Sequence, residues 1–401
     1  MSPHLRTTLS YIGTLVIITA AVFVLIGRAP VTSPTTENPA SETSQTVRVV
    51  EATPTYASTS PSASLADEKQ ELDPTHIPQP KNEEGDSLSA PPALGKGSTS
   101  TSVVRIQNPY PFPPLSFLTV NEQTRAALVN ILCTSQSGSL RPASGSGIVI
   151  DPRGIVLTNA HVAQYVLLAQ SSQTNLSCFI RSGAPARALW GAEVLYIPPV
   201  WIEEHAADIM KTNPTGTGEH DYALLRITGI WDDPTSPSLP TKISALPLDT
   251  REAIGFPGDL VLAASYPAEF IGGIAAQSDL YPASTIAPIR ELLTFQTNTA
   301  DLVALSGVIE AQSGSSGGPV VNAWGRVIGI ITTTSEGTTT AERDLRAITL
   351  SYIDRDLSTQ MGIGLAEILG NDTARLAEEF RAQQAPALTR LLIEQITRRS
   401  R

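Results

Sequence analysis

Every histidine of this chain, His4, His76, His161, His205 and His220, precedes the stretch Gly314-Ser315-Ser316-Gly317-Gly318-Pro319. A hydroxyl set between glycines in a tight turn stands clear of its own backbone, with neighbouring amides aimed at one spot where an oxyanion can sit. Ser316 therefore reads as a nucleophile. The spacing Gly314-x-Ser316-x-Gly318 also fits the elbow of an α/β-hydrolase, but that fold places its histidine last in the chain order, and no histidine lies beyond Ser316. The next residues, Val320-Val321-Asn322-Ala323-Trp324-Gly325-Arg326-Val327-Ile328-Gly329-Ile330-Ile331, are two apolar runs around a turn. That pattern is a β-hairpin, and it places the serine inside an all-β domain.

Upstream, Ser144-Gly145-Ser146-Gly147 leads into Ile148-Val149-Ile150, closed by the turn Asp151-Pro152-Arg153-Gly154. The returning run Ile155-Val156-Leu157-Thr158-Asn159-Ala160-His161 ends in a histidine. Further on, His220-Asp221-Tyr222-Ala223-Leu224-Leu225 sets an acid at the mouth of another apolar strand. The chain order is histidine, acid, serine.

On these three motifs, in this order, the chain resembles the trypsin/chymotrypsin-like serine proteases, in particular the bacterial branch that includes quality-control proteases. The resemblance covers roughly residues 125 to 358. It implies an all-β fold of two six-stranded antiparallel barrels and peptide-bond hydrolysis. Ser316 would attack the carbonyl, His161 would carry the proton, and Asp221 would orient the imidazole. The backbone amides of Gly314 and Ser316 would form the oxyanion hole. It also puts Glu310 near the base of the specificity pocket, where it would favour Lys or Arg side chains. The backbone of Ile331, Thr332 and Thr333 would pair with substrate as an added strand. No metal or cofactor is implied. Digestive members of the family carry an aspartate before the nucleophile, which pairs with an N-terminus freed by cleavage; Ser315 offers no such charge, so the site is expected to form without zymogen processing.

Sixty residues separate His161 from Asp221, more than the family usually shows. Trp201, Ile202, His205 and Ile209 recur at helical spacing, so the surplus reads as an inserted helix packing on the first barrel. Ala126 to Cys133 reads as the first strand. Beyond the last strand and closing helix, Leu365–Leu369 and Leu388–Ile396 read as amphipathic helices. The forty-odd residues there are too few for the peptide-binding PDZ module of the quality-control enzymes.

The N-terminal part is different in kind. Residues 11–26 carry no charge, close to the ~20 residues that a bilayer-spanning helix needs. An uncleaved anchor over 1–28 is expected, with a cleaved signal peptide as the competing reading. Residues 29–105, rich in Ser, Thr, Pro and acidic side chains, read as a disordered stalk, succeeded by a protease domain over 106–358 and a helical tail over 359–401. The expectation is a single-pass membrane protein with its protease domain outside the cytoplasm. In such a compartment the two cysteines, Cys133 and Cys178, suggest a bridge, two free thiols being the alternative. The net charge of -11 argues against nucleic acid and anionic membrane surfaces as principal partners. Protein or peptide substrates are the expected partners. A catalytically silent peptide-binding module on the same fold is the reading from another class.

Overall fold

The computed structural model describes residues 105–106, 108–135, 140–211, 217–232, 242–252, 254–268, 279–295, 299–305, 313–334 and 345–399. The expected anchor over 1–28 and the stalk up to residue 104 lie outside these residues. Among the described residues no helix is long and apolar enough to cross a membrane.

In chain order the elements are α1 (Phe117–Ala127), β1 (Leu128–Ser135), β2 (Ala143–Asp151), β3 (Ile155–Thr158), α2 (Ala160–Ala169), β4 (Leu176–Ser182), β5 (Arg187–Tyr196), α3 (Pro199–His205) with a 3-10 turn over Ala206–Met210, and β6 (Ala223–Ile230). Then come β7 (Leu260–Ser265), β8 (Ala283–Pro288), β9 (Glu291–Leu293), β10 (Leu302–Ala304), β11 (Pro319–Asn322), β12 (Val327–Thr334), β13 (Leu345–Thr349), α4 (Leu350–Met361), α5 (Leu365–Gly370), α6 (Thr373–Gln383) and α7 (Ala385–Arg399). The protein is mostly β, and four of its helices follow one another after the last strand, β13.

Strands β1 to β6 close into an antiparallel barrel in the order β1-β2-β3-β6-β5-β4. The expected hairpin across the turn 151–154 is β2–β3, with Ile148 opposite Leu157 and Val149 opposite Val156. Gly154 holds φ +89°, the left-handed conformation that lets the turn close. A disulfide joins Cys133 to Cys178, which face each other across β1 and β4.

The second sheet has seven strands among the described residues, in the order β8-β7-β11-β12-β13-β10-β9, where six were expected. The difference is a break in one strand. Ile289 still exchanges backbone bonds with Gly258 and Asp259 beside β7, while Arg290 already donates to Ala304 of β10 at 2.8 Å. β8 and β9 are thus two arms of one bent strand that leaves one edge of the sheet and enters the other. The sheet curls into a barrel-like form by that route. Side chains alternate across it as the strand period of two requires. Val261, Ala263, Val320, Ile331 and Ala347 form one buried cluster, whereas Leu262, Val321, Ile330 and Ile348 join the larger core shared with the first barrel and the helices.

Four helices depart from the sequence reading or complete it. Helix α1, capped at its start by Ser116, which accepts from the Thr119 amide at 3.2 Å, takes up Ala126 and Ala127 of the run expected as the first strand, and ends where Leu128 turns extended and pairs with Ile148 of β2. The strand proper starts at Leu128. The inserted segment forms α3 and its 3-10 turn, which pack chiefly against α7 and also touch α2, with Trp201, Ile202 and Ile209 in the core shared with the first barrel. Helix α7 buries Leu388 and Leu392, and α6 lies on β5 with Phe380 buried. The tail therefore covers the first barrel, a choice the amphipathic pattern alone left open.

Candidate functional site

His161 is the second residue of α2, immediately beyond the end of β3. Its backbone amide donates to Asp221 Oδ1 at 2.9 Å, and its Nδ1 lies 2.8 Å from Asp221 Oδ2. One carboxylate thus holds both the helix start and the ring. Asn159 adds a third tie, its Nδ2 donating to the Asp221 carbonyl at 2.7 Å. The acid sits just ahead of β6, after a turn in which His220 holds φ +58°.

A further donor comes from the other sheet: Thr332 Oγ1 donates to Asp221 Oδ2 at 2.9 Å. The Asp221 side chain is 7% exposed, and that of His161 is 29% exposed. Burial alone would raise the carboxyl pKa, but the imidazole and the donors from His161 and Thr332 outweigh it and hold Asp221 below the usual carboxylate range. For His161 burial pulls downward, and the adjacent carboxylate overcomes it, leaving the imidazole above its ordinary value. The pair is a half-buried base on a buried acid, with its second nitrogen, Nε2, turned away from the acid.

Ser316 lies in a turn whose shape two glycines permit, Gly314 at φ +92° and Gly317 at φ +85°. A β-carbon on Gly317 would fall 2.1 Å from the Ser146 carbonyl oxygen and 2.4 Å from Thr158 Oγ1. The turn is therefore pressed against the first barrel at the end of β3, three residues before His161. Ser316 is half-buried, and its neighbours Gly314, Ser315, Gly317 and Gly318 are buried. Among the described residues, neither the Gly314 nor the Ser316 amide donates a hydrogen bond to the protein. Donors left without an acceptor among the described residues are what an oxyanion requires.

Ser146 ties this turn to the first barrel through its amide and its hydroxyl. Its amide donates to the Ser316 carbonyl at 2.7 Å, and its hydroxyl donates to the Gly314 carbonyl at 2.7 Å. The same hydroxyl accepts from the Tyr266 amide at 2.8 Å, and its carbonyl accepts from Thr158 Oγ1 at 2.7 Å. Strand β12 forms the other wall. The Gly317 amide donates to Ile331 O, and the Ile331 amide to Gly318 O, each at 2.8 Å. One residue on, Thr332 reaches Asp221. The serine turn and the His161–Asp221 pair are thus linked through two consecutive residues of β12. No hydrogen bond joins Ser316 Oγ to the imidazole; such bonds often tighten only when substrate arrives.

The register of β12 slips between Ile331 and Thr333, so Thr332 bulges out of its pairing with β13. The bulge turns the Thr332 hydroxyl towards Asp221. Beyond Ile331 no strand among the described residues pairs with β12 on its β11 side. Ser315, in place of a charged residue, is 1% exposed and shares a hydrogen bond with Ser265 Oγ at 3.0 Å. The segment before α1 docks elsewhere: the Leu115 amide donates to Ala323 O at 2.8 Å, and Trp324 Nε1 donates to Phe112 O at 3.1 Å. Glu310 lies outside the described residues.

Sequence reasoning missed the side-chain roles of Ser146 and Thr332. The first was visible only as the centre of a Gly-Ser-Gly run, and the second only as strand backbone. Among the described residues no cluster of three His, Cys, Asp or Glu side chains is arranged to hold a metal ion. A separate cleft of about 330 Å³, lined by Ile106, Phe117, Phe256, Leu260 and Trp324 among others, shares no residue with the group around His161.

Residues 145–330 match the family model described as the trypsin-like peptidase domain. No curated protein matches the chain.

Proposed function

We propose that this chain, which carries a trypsin-like peptidase domain over residues 145–330, is a serine endopeptidase that hydrolyses peptide bonds through an acyl-enzyme on Ser316. His161 takes the Ser316 proton as the hydroxyl attacks the substrate carbonyl, and returns it to the leaving amine. Asp221 keeps Nδ1 protonated and stabilises the imidazolium that forms. The negative oxygen of the tetrahedral intermediate is received by the amides of Gly314 and Ser316. Water then repeats the attack on the acyl-enzyme with His161 again as base, and the serine is released.

The observation that carries this reading is the junction at β12: Ile331 binds the serine turn while Thr332 binds the acid that grips the histidine. Substrate lies as an extra strand along Thr332 and Thr333, beside which no strand is found among the described residues on the β11 side; Ile331, expected to share in that pairing, already has its amide and carbonyl bound to Gly318 and Gly317. Glu310 is proposed to favour basic side chains in the substrate, and equal cleavage after basic and aromatic residues would remove that role. The uncharged anchoring of Ser315 on Ser265 supports a site that forms without a freed N-terminus. Limited proteolysis near residue 115 that switched on an otherwise inert chain would contradict it.

Tethering to a membrane by residues 1–28, with the protease domain outside the cytoplasm, is supported by the uncharged run 11–26 and by the disulfide, which suits an oxidising compartment. Fractionation of cells, with protease accessibility of the domain from outside, tests this placement. The enzymatic reading is tested with a fluorophosphonate probe and peptide mapping. Labelling at Ser316 that disappears in His161→Ala is expected. A folded chain that takes no label yet binds peptides would establish the silent module instead.

A further inference from the structure

The two residues flanking Asp221 are both tied to a single side chain of α4. His220 Nδ1 lies 2.9 Å from Asp356 Oδ2, and the Tyr222 hydroxyl donates to the same oxygen at 2.8 Å. One helical turn earlier, the Tyr352 hydroxyl accepts from the His220 amide at 3.1 Å. Tyr222 is fully buried and the Asp356 side chain is 8% exposed. Helix α4 is itself fixed at its start by Thr349, which caps it at the Tyr352 amide and donates to the Ala300 carbonyl at 2.7 Å.

The backbone between these ties is unfavourable on its own. A non-glycine residue at φ +58° persists only where its surroundings over-determine it. Here the side chain and the amide of His220 are both bound by α4. The left-handed residue reverses the chain one position before Asp221, and so sets the direction in which that carboxylate leaves the backbone. None of the four residues of the clamp contacts the serine turn through a hydrogen bond.

We infer that Asp356 is a positioning residue for the reaction, holding His220 and Tyr222 on either side of Asp221 so that its carboxylate meets His161. This role rests on the protease reading. It also gives α4 a task beyond closing the fold, since it makes the helix that begins the C-terminal region part of the site's support. The groups facing His220 are Asp356 and Tyr352 of α4, Glu219 at 3.9 Å from its Nε2, and Glu204 of α3. The imidazole is held above its ordinary pKa, chiefly by its hydrogen bond to Asp356. Asp356→Asn removes the carboxylate that favours the protonated imidazole and keeps the shape of the side chain.

The test is the rate of fluorophosphonate labelling at Ser316, measured from about pH 5 to about pH 9 in wild type, Asp356→Asn and Tyr222→Phe. The acid limb of that profile reports His161, whose proton affinity depends on Asp221 standing beside it. If Asp356 positions Asp221, the plateau rate falls roughly tenfold in Asp356→Asn and less in Tyr222→Phe, and the acid limb moves to lower pH in both. Tyr222→Phe keeps the buried ring, so it answers the question even if Asp356→Asn does not fold. Labelling with unchanged rate and unchanged acid limb in folded variants, whatever their melting temperature, overturns the positioning role and leaves the protease reading standing. A wild-type chain that takes no label at Ser316 overturns both.

Discussion

Replacing Ser146 by alanine tests the claim that the serine turn is held by the first barrel. The residue is fully buried, and its hydroxyl joins a carbonyl on the nucleophile turn, Gly314 O, to an amide on the second sheet, Tyr266 N. Alanine preserves the backbone bond to Ser316 and the fold of β2, but it leaves that carbonyl and that amide without their partner in a site closed to solvent. An orphaned buried polar group costs about 1–3 kcal/mol, so two together cost about 2–6 kcal/mol. For a domain of this size each kcal/mol lowers the melting temperature by roughly 2–4 °C, which predicts a drop of roughly 4–24 °C. The cost falls on the turn that carries Gly314 and Ser316, so the labelling rate of Ser316 should fall as well, by about tenfold or more. Thermal unfolding and probe labelling measure the two effects in one preparation. A variant within about 1 °C of wild type, labelled at the same rate, would defeat the claim, because the two bonds would then contribute nothing net.

Gly317→Ala should damage the same turn, since its β-carbon meets the Ser146 carbonyl at 2.1 Å and the residue holds φ +85°. Left-handed strain of about 1–2 kcal/mol and an overpacking cost of about 1–3 kcal/mol add, and melting temperature with Ser316 labelling reads the loss. Breaking the Cys133–Cys178 bridge by serine substitution opens a loop of 45 residues, which costs on the order of 4 kcal/mol in the chain-entropy model; denaturant titration checks it. The pH dependence has two signs. His161 binds its proton more tightly when folded, so its contribution to stability is complete below about pH 6.5 and is lost as pH rises through the raised folded value; Asp221 contributes above about pH 3.9 and loses its share as pH falls through its lowered value. Labelling needs neutral His161, so its acid limb should lie above about pH 6.5, and Asp221→Asn should shift it downward.

The identity and order of the chemical groups were legible in the chain because each belongs to a short local pattern. Glycines crowd Ser316, an apolar strand runs into His161, and another leaves Asp221; such patterns need no knowledge of distant residues. The absence of a histidine after Ser316 excluded the hydrolase elbow on order alone. The end of α1 was hidden because the apolar run from Ala126 to Cys133 suits a helix end and a strand start equally, and pairing of Leu128 with Ile148 of β2 decided the boundary. The break between β8 and β9 was hidden because it depends on two different partners, β7 and β10, competing for one strand.

Bonds between residues far apart in the chain were settled by packing alone. Ser146 and Gly314 are separated by 168 positions, Asp221 and Thr332 by 111, and Tyr222 and Asp356 by 134. A hydroxyl in a Gly-Ser-Gly run, a threonine in a strand and an aspartate in a helix look the same in sequence whether they face solvent or a buried carboxylate. Their meaning is set by which polar groups packing brings within about 3 Å and shields from water, and that is a property of the assembled barrels and helices.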